Sequence, residues 1–144
     1  MRGSRGRRTV AATALGALLA VEGAATSWAW STGFGHVSAA DRTLRPGCHR
    51  YRYHYVVRPG SGDWLLETWL YDPRGKPRGS GDFTAGSDPM NGHGTFGICR
   101  STAVPGRFTI RARLRWYTPG PLPIDQPTQH TRWFKPAHFR LRPR

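Results

Sequence analysis

Along most of this chain, apolar and polar side chains alternate at every second position, the period of a pleated strand with one buried face. From Arg50 to Val57, Tyr51, Tyr53, Tyr55 and Val57 share one side, and Arg50, Arg52 and His54 share the other. Trp64 to Tyr71 puts Trp64, Leu66, Thr68 and Leu70 on its more apolar side. Its other side, Leu65, Glu67, Trp69 and Tyr71, is only weakly polar, which predicts cover on both faces. Arg107 to Tyr117 is the cleanest run: Phe108, Ile110, Ala112, Leu114 and Trp116 against Arg107, Thr109, Arg111, Arg113 and Arg115. Thr95 to Ser101 sets Phe96 and Ile98 against Thr95, Gly97 and Cys99. Thr131 to Arg142 sets Phe139 and Leu141 against His138, Arg140 and Arg142. Proline cannot donate to a ladder, so Pro136 places this last segment on an edge or at a bulge.

Turn signals separate these runs: Pro59 to Asp63, Asp72 to Pro77, Pro105-Gly106, and a long loop from Thr118 to Gln129 with four prolines. Phe83 marks a short edge strand. Asp82 to Gly94, rich in Gly, Asp and Asn, reads as loop, and Ala39 to Leu44 has room for one short helical turn. Regular short strands without a helical period predict an all-β fold. A Greek-key β-sandwich of six to seven strands fits better than a closed barrel.

The first residues follow another pattern. Met1 to Arg8 is cationic, Val10 to Val21 is apolar or small, and Gly23, Ala25, Ser27 and Ala29 follow. These are the three parts of a secretory signal, with cleavage after Ala25 or Ala29. A retained anchor needs about 20 apolar residues, and Glu22 interrupts the run too early. Arg7-Arg8 has poor flanks for a twin-arginine signal, and no cysteine follows the apolar run to carry a lipid. The expected organisation is a signal helix over 1–29, a flexible segment over 30–45 and a sandwich over 46–144, in a secreted or extracytoplasmic protein.

Cys48 and Cys99 are the only cysteines. After export, an even pair is most simply a disulfide. Closing a loop of about 50 residues stabilises a fold by roughly 4 kcal/mol on chain-entropy grounds. Two metal ligands are the alternative, but there is no CxxC spacing, and the histidine nearest Cys48 is its neighbour His49.

Charge narrows the partners. The chain carries 22 Lys+Arg against 8 Asp+Glu, a formal net charge of +14. Such a field attracts nucleic acid, anionic glycopolymers or phospholipid headgroups. Only Lys76 and Lys135 are lysine, so the arginine excess also fits genomic composition bias. No HExxH, H-x-H or G-x-S-x-G occurs, and most acidic residues stand in turns, so no catalytic constellation, metal centre or cofactor is expected. Asp82, Asp88, Asn91 and His93 form the best local ligand set, but their spacing does not match an EF-hand, and a flexible hairpin connection is the plainer reading.

The run Pro105-Gly106-Arg107-Phe108-Thr109-Ile110-Arg111-Ala112 resembles the PG-x-[YF]-x-[IV]-x-A entry to a late strand in bacterial immunoglobulin-like domains of exported, actinobacterial-type proteins. The resemblance spans roughly residues 46 to 142. In the lettering of that fold, Arg50 to Val57 corresponds to B, Trp64 to Tyr71 to C, Thr95 to Ser101 to E, Arg107 to Tyr117 to F and the last segment to G. Gly97 stands where antibody-type domains have a tyrosine, and two strands follow Cys99, so the bridge departs from the inter-sheet kind. The resemblance instead implies a cross-strand bridge between B and E, on the outer side or rim of one sheet, with a Cα separation near 5.5 Å.

It also implies that G pairs with F, so that Arg140 and Arg142 extend the stripe of Arg111, Arg113 and Arg115. Those three stand about 6.6–6.8 Å apart along one strand face. Together with Arg50 and Arg52 they form the candidate polyanion-binding set, since guanidinium forks suit phosphate groups. A solvated strand that uses arginine against aggregation is the plainer reading. The expected function is a secreted or envelope-associated, non-catalytic binding module for an anionic cell-wall or extracellular polymer. A protein–protein interaction domain or envelope-complex subunit, anchored by exposed Trp69 or Trp133, is the alternative.

Overall fold

The alternating runs become the two layers of a β-sandwich. The structure is a computed structural model that describes residues 33–144. The expected signal segment and its cleavage sites lie outside the described residues. Among the described residues, nine strands occur in chain order: β1 (Gly35–Ser38), β2 (Arg42–Thr43), β3 (Cys48–Val57), β4 (Trp64–Tyr71), β5 (Pro77–Thr84), β6 (Asn91–Cys99), β7 (Gly106–Thr118), β8 (Thr128–Trp133) and β9 (Ala137–Arg142). One sheet has the order β1-β3-β6. The other has the order β2-β9-β7-β4-β5, with β8 also paired to β7. In immunoglobulin lettering this is A-B-E facing A′-G-F-C-C′.

The strand count exceeds six to seven for two reasons. The last segment is broken at residues 134–136: β8 pairs with the second half of β7, and β9 pairs with the first half. Pro136 sits in that break, where no ladder donor is needed. The domain also begins earlier than the alternation implies. Residues 35–44, expected within a flexible segment, belong to the sandwich. β1 pairs antiparallel with β3, and β2 pairs parallel with β9. The helical turn expected over Ala39 to Leu44 is absent. The Leu44 N–H donates to the Arg142 carbonyl at 2.8 Å, and the Leu44 side chain is fully buried.

The loop expected over Asp82 to Gly94 is shorter. β5 runs to Thr84 and β6 begins at Asn91. The glycines that signalled a loop serve a packing need instead. Gly92 lies opposite Tyr55 in the ladder, and Gly94 lies opposite Tyr53. A Cβ on either would run into the tyrosine ring beside it. The large rings of one strand are seated on the missing side chains of its neighbour.

Both inner faces supply the core, with Tyr51, Tyr53, Tyr55 and Phe96 from the first sheet and Leu66, Leu70, Phe108 and Leu114 from the second. Buried tyrosines need partners for their hydroxyls. Tyr51 Oη donates to the Thr43 carbonyl at 3.3 Å and Tyr55 Oη to the Pro89 carbonyl at 3.1 Å. Tyr53 Oη lies 2.8 Å from Thr68 Oγ1 across the core. The Thr68 hydroxyl proton goes to the Gly81 carbonyl at 3.0 Å, so Tyr53 is the donor of that inter-sheet bond. Burial pushes the Tyr53 phenol up to about 12.

Cys48 and Cys99 form a disulfide and stand directly opposite each other in the β3–β6 ladder. The bridge is therefore cross-strand, within one sheet and at its rim, as the B–E pairing implied. Their Cα atoms are 3.9 Å apart rather than near 5.5 Å. The Arg100 N–H bonds the Gly47 carbonyl just outside the pair, which makes it a non-hydrogen-bonded pair, the closer of the two antiparallel kinds.

Candidate anion-binding face

β7 is the longest strand and the second sheet is built around it, so its outward side chains set the chemistry of that sheet's outer face. Register decides which charges meet. Glu67 on β4 lies opposite Arg113, and Trp133 on β8 lies opposite Arg113 from the other side. Arg113 donates from Nε to Glu67 Oε2 at 2.8 Å and from Nη2 to Oε1 at 3.0 Å, a bidentate pair. Its guanidinium carbon lies 5.3 Å from the centroid of each of two tryptophan rings, Trp69 and Trp133. Arg115 Nη2 is 3.1 Å from Glu67 Oε1.

Burial disfavours the Glu67 carboxylate. The Arg113 bonds and the charges of Arg113 and Arg115 outweigh that effect and hold it below the usual carboxylate range. Trp69 and Trp133, expected as exposed anchors for a partner, are instead half-buried, 5.6 Å apart, around Arg113. Arg113 and Arg115 are therefore not the open cations that the alternation implied, because both are paired with one internal acid, Glu67.

The other half of β7 differs. Arg107 lies opposite Arg140 on β9, and Thr109 lies opposite His138. Arg111 has Trp69 opposite it on β4 and no ladder partner toward β8 and β9. Among the described residues, no carboxylate comes within 4 Å of the guanidiniums of Arg107, Arg111 or Arg140. Arg111 rests 5.3 Å from the centre of the Tyr71 ring. Arg142 does have a partner, Asp41 at 3.5 Å, but the pair is exposed and weak. Asp41 also accepts the Arg140 backbone N–H at 2.7 Å.

Two adjoining depressions open over this lower half. One, of about 530 Å³, is lined by Tyr71, Arg107, Thr109, Arg111 and His138 beside the β4–β5 turn. The other, of about 270 Å³, shares Arg107 and His138 and adds Asp41 and Arg140. His138 Nδ1 is 3.0 Å from Thr109 Oγ1. Partial burial, then the charges of Arg107 and Lys135, hold His138 below the ordinary imidazole range. The nearby Asp72 does not cancel these cations, because its carboxylate is consumed. It accepts the Arg74 and Lys76 N–H groups at 2.9 Å each and a fork from Arg78 at 2.9 and 2.6 Å. Burial raises the Asp72 carboxyl, and these bonds more than reverse that.

The predicted set thus divides. Arg140 faces Arg107 and lines one depression, Arg111 lines the adjoining one, and Arg142 is tethered at the edge. Arg107 and His138 join them; the alternation had already put both on the polar side, and only register could rank them above Arg113 and Arg115. Arg50 and Arg52 lie on β3, in the opposite sheet, and take no part in this face. The expected ligand loop also disperses. Asp88 caps its own turn by accepting the Thr84 N–H at 2.9 Å, Asn91 Oδ1 accepts from His54 Nε2 at 2.6 Å, and Asp82 and His93 belong to different sheets. Among the described residues, no three His, Cys, Asp or Glu side chains are grouped to hold a metal ion.

A larger depression, of about 600 Å³, lies between the β3–β4 turn and the proline-rich β7–β8 loop. Its carboxylate Asp125 accepts the Leu122 N–H at 2.9 Å, and no nucleophile and base pair up there. No family model, curated protein or solved structure matches this chain.

Proposed function

We propose that this protein is a secreted or cell-envelope-associated, non-catalytic module that binds an anionic polymer through the lower half of the β7–β9 face. One observation carries the reading: Arg107 and Arg140 are held directly opposite each other, with Arg111 on the same face, and among the described residues no carboxylate lies within 4 Å of any of the three guanidiniums; Asp41, which shares a depression with Arg107 and Arg140, is paired with Arg142. Like charges in opposed positions cost stability, and a phosphate, sulfate or carboxylate group between them removes that cost. Tyr71 and Thr109 add an apolar ring and a hydroxyl beside the cations, a mixture suited to a charged polymer with a carbon backbone. The disulfide is consistent with an oxidising, extracytoplasmic setting.

The test is salt-dependent retention on the anionic envelope fraction and on heparin resin. Arg107→Glu with Arg111→Glu abolishes retention at low salt if the reading holds, and unchanged retention overturns it. Arg113→Glu is a poor probe, because it opposes Glu67 and breaks the sheet's own ion pair. A protein–protein role keeps one specific support, the 57% and 86% exposure of Leu122 and Ile124 on the β7–β8 loop. That role predicts retention insensitive to salt and lost in Ile124→Ser.

A further inference from the structure

The opposite sheet carries a second basic site, built around Arg52, which the alternation had grouped with the β7 stripe. Where the chain crosses from β1 to β2, a shallow depression of about 480 Å³ is lined by Arg42, Arg52, His54 and His93, with Ser38 at its side. No carboxylate lines it, and among the described residues neither guanidinium has an acid within 4 Å. The Val57 N–H bonds the Met90 carbonyl outside the Val56–Asn91 pair, so the His54–His93 pair two residues along is also non-hydrogen-bonded. Side chains in such pairs stand closest, and the two imidazoles are 5.0 Å apart, tilted at 54°. His36 on β1 stands 6.1 Å from His54 on the same face. The bond from His54 Nε2 to Asn91 fixes one imidazole and leaves its Nδ1 unpaired.

Histidines this close raise the question of a metal. The flanking Arg42 and Arg52 repel a cation, and among the described residues no third ligand joins the pair. The same charges favour an anion. Two guanidiniums give permanent charge and planar donor forks, and two imidazoles become donors at every nitrogen once protonated.

We propose that this depression is a tetrahedral oxyanion site, taking a phosphate or sulfate group, in which His93 strengthens binding as the pH falls. The groups facing His93 are Arg52 and His54 on β3, with His36 beyond on β1 and Arg42 across the depression. Desolvation, then the charges of Arg52 and His54, hold His93 below the ordinary imidazole range, so its contribution arrives on the acid side of that range. An anion beside His93 favours its charged form and draws that onset upward.

With a basic site on each outer face, a polymer long enough to reach both would engage the second intramolecularly. The site itself does not rest on the β7–β9 reading.

Sulfate is the suitable probe, since it stays doubly charged across the range in which histidine titrates. Titrated into the disulfide-intact protein and followed by backbone and imidazole NMR, sulfate shifts Arg52, His54 and His93 selectively. It binds about tenfold more tightly near pH 5.5 than near pH 8. Arg52→Gln weakens binding about tenfold at both pH values. His93→Gln removes the pH dependence and keeps the alkaline affinity. Arg107→Gln with Arg111→Gln leaves all of this unchanged while removing polymer retention, so the two readings fail separately. Shifts spread evenly over basic residues of both sheets, or an Arg52→Gln affinity equal to wild type, overturn the site. Displacement of bound sulfate by polyphosphate at lower concentration than inorganic phosphate identifies a polymer source, and equal displacement per phosphate identifies the free ion.

Discussion

The two halves of the outer face of β7 carry the same residue types and reach opposite electrostatic ends. In the upper half, Glu67 lies within the sheet opposite Arg113 and within reach of Arg115, and Trp69 and Trp133 close over the pair. In the lower half, the position opposite Arg107 is another arginine, and the nearest acids are committed to Arg78 and Arg142. One carboxylate in register turns a cationic stripe into a structural element; its absence leaves the charges open. Counting arginines along a strand therefore says little, and what stands across from each decides whether its charge is available.

Removing that carboxylate is the strongest way to erase the contrast. Glu67→Gln leaves Arg113 and Arg115 half-buried without a counter-charge. The expected loss is about 2–3 kcal/mol of unfolding free energy, read from urea denaturation. The same variant turns the upper half into an open basic patch, so retention on heparin should rise as stability falls. Unchanged stability would mean that the two tryptophans alone hold Arg113.

Acid sharpens the same point. The Glu67 carboxyl titrates below its ordinary value in the fold, so the ionised form is favoured by folding. Its contribution is complete above the unfolded value of 4.5 and is lost as the pH falls through the lower folded value. The stability gap between wild type and Glu67→Gln should stay constant from neutrality to about pH 5 and close on further acidification. Urea midpoints across that range check it; a gap that persists at pH 2 would assign the Glu67→Gln effect to packing.

On the lower half the same kind of change acts on function and spares the fold. Arg107→Glu with Arg111→Glu alters exposed side chains with no ion pair to break, so stability should stay within about 0.5 kcal/mol of wild type. Polymer affinity should collapse, and the slope of log affinity against log salt should flatten by about 1 for each phosphate that is no longer neutralised. A steep loss of stability instead would show that these arginines hold the fold together.

Period-two alternation made β4 and β7 legible residue by residue, because both present long, uninterrupted parities. The B–E pairing was legible too, and with it the bridge between Cys48 and Cys99. β1 was not, since four residues with one strong apolar position carry too little pattern to oppose a reading of flexibility. β5 and the start of β6 were hidden by glycine, whose lack of a side chain reads as loop until Tyr53 and Tyr55 are seen resting on Gly94 and Gly92. The site was half legible. The face of each arginine follows from its number, but Arg113 and Glu67 are 46 residues apart, and nothing short of register says that they meet.

The smallest expected effect tests the lower half most directly. Arg107 and Arg140 occupy opposed ladder positions, so each should disfavour the other through a term that a double-mutant cycle isolates. With Arg107→Gln, Arg140→Gln and the double variant, the coupling at low salt should be repulsive by about 0.2–1 kcal/mol. It should fade toward physiological salt, since the Debye length there is about 8 Å and both side chains are exposed. A saturating anionic polymer should invert the sign, because two guanidiniums sharing one anion support each other where they had repelled. Zero coupling in all three conditions would mean that the forks splay apart, and the lower half would then be a set of separate solvated charges.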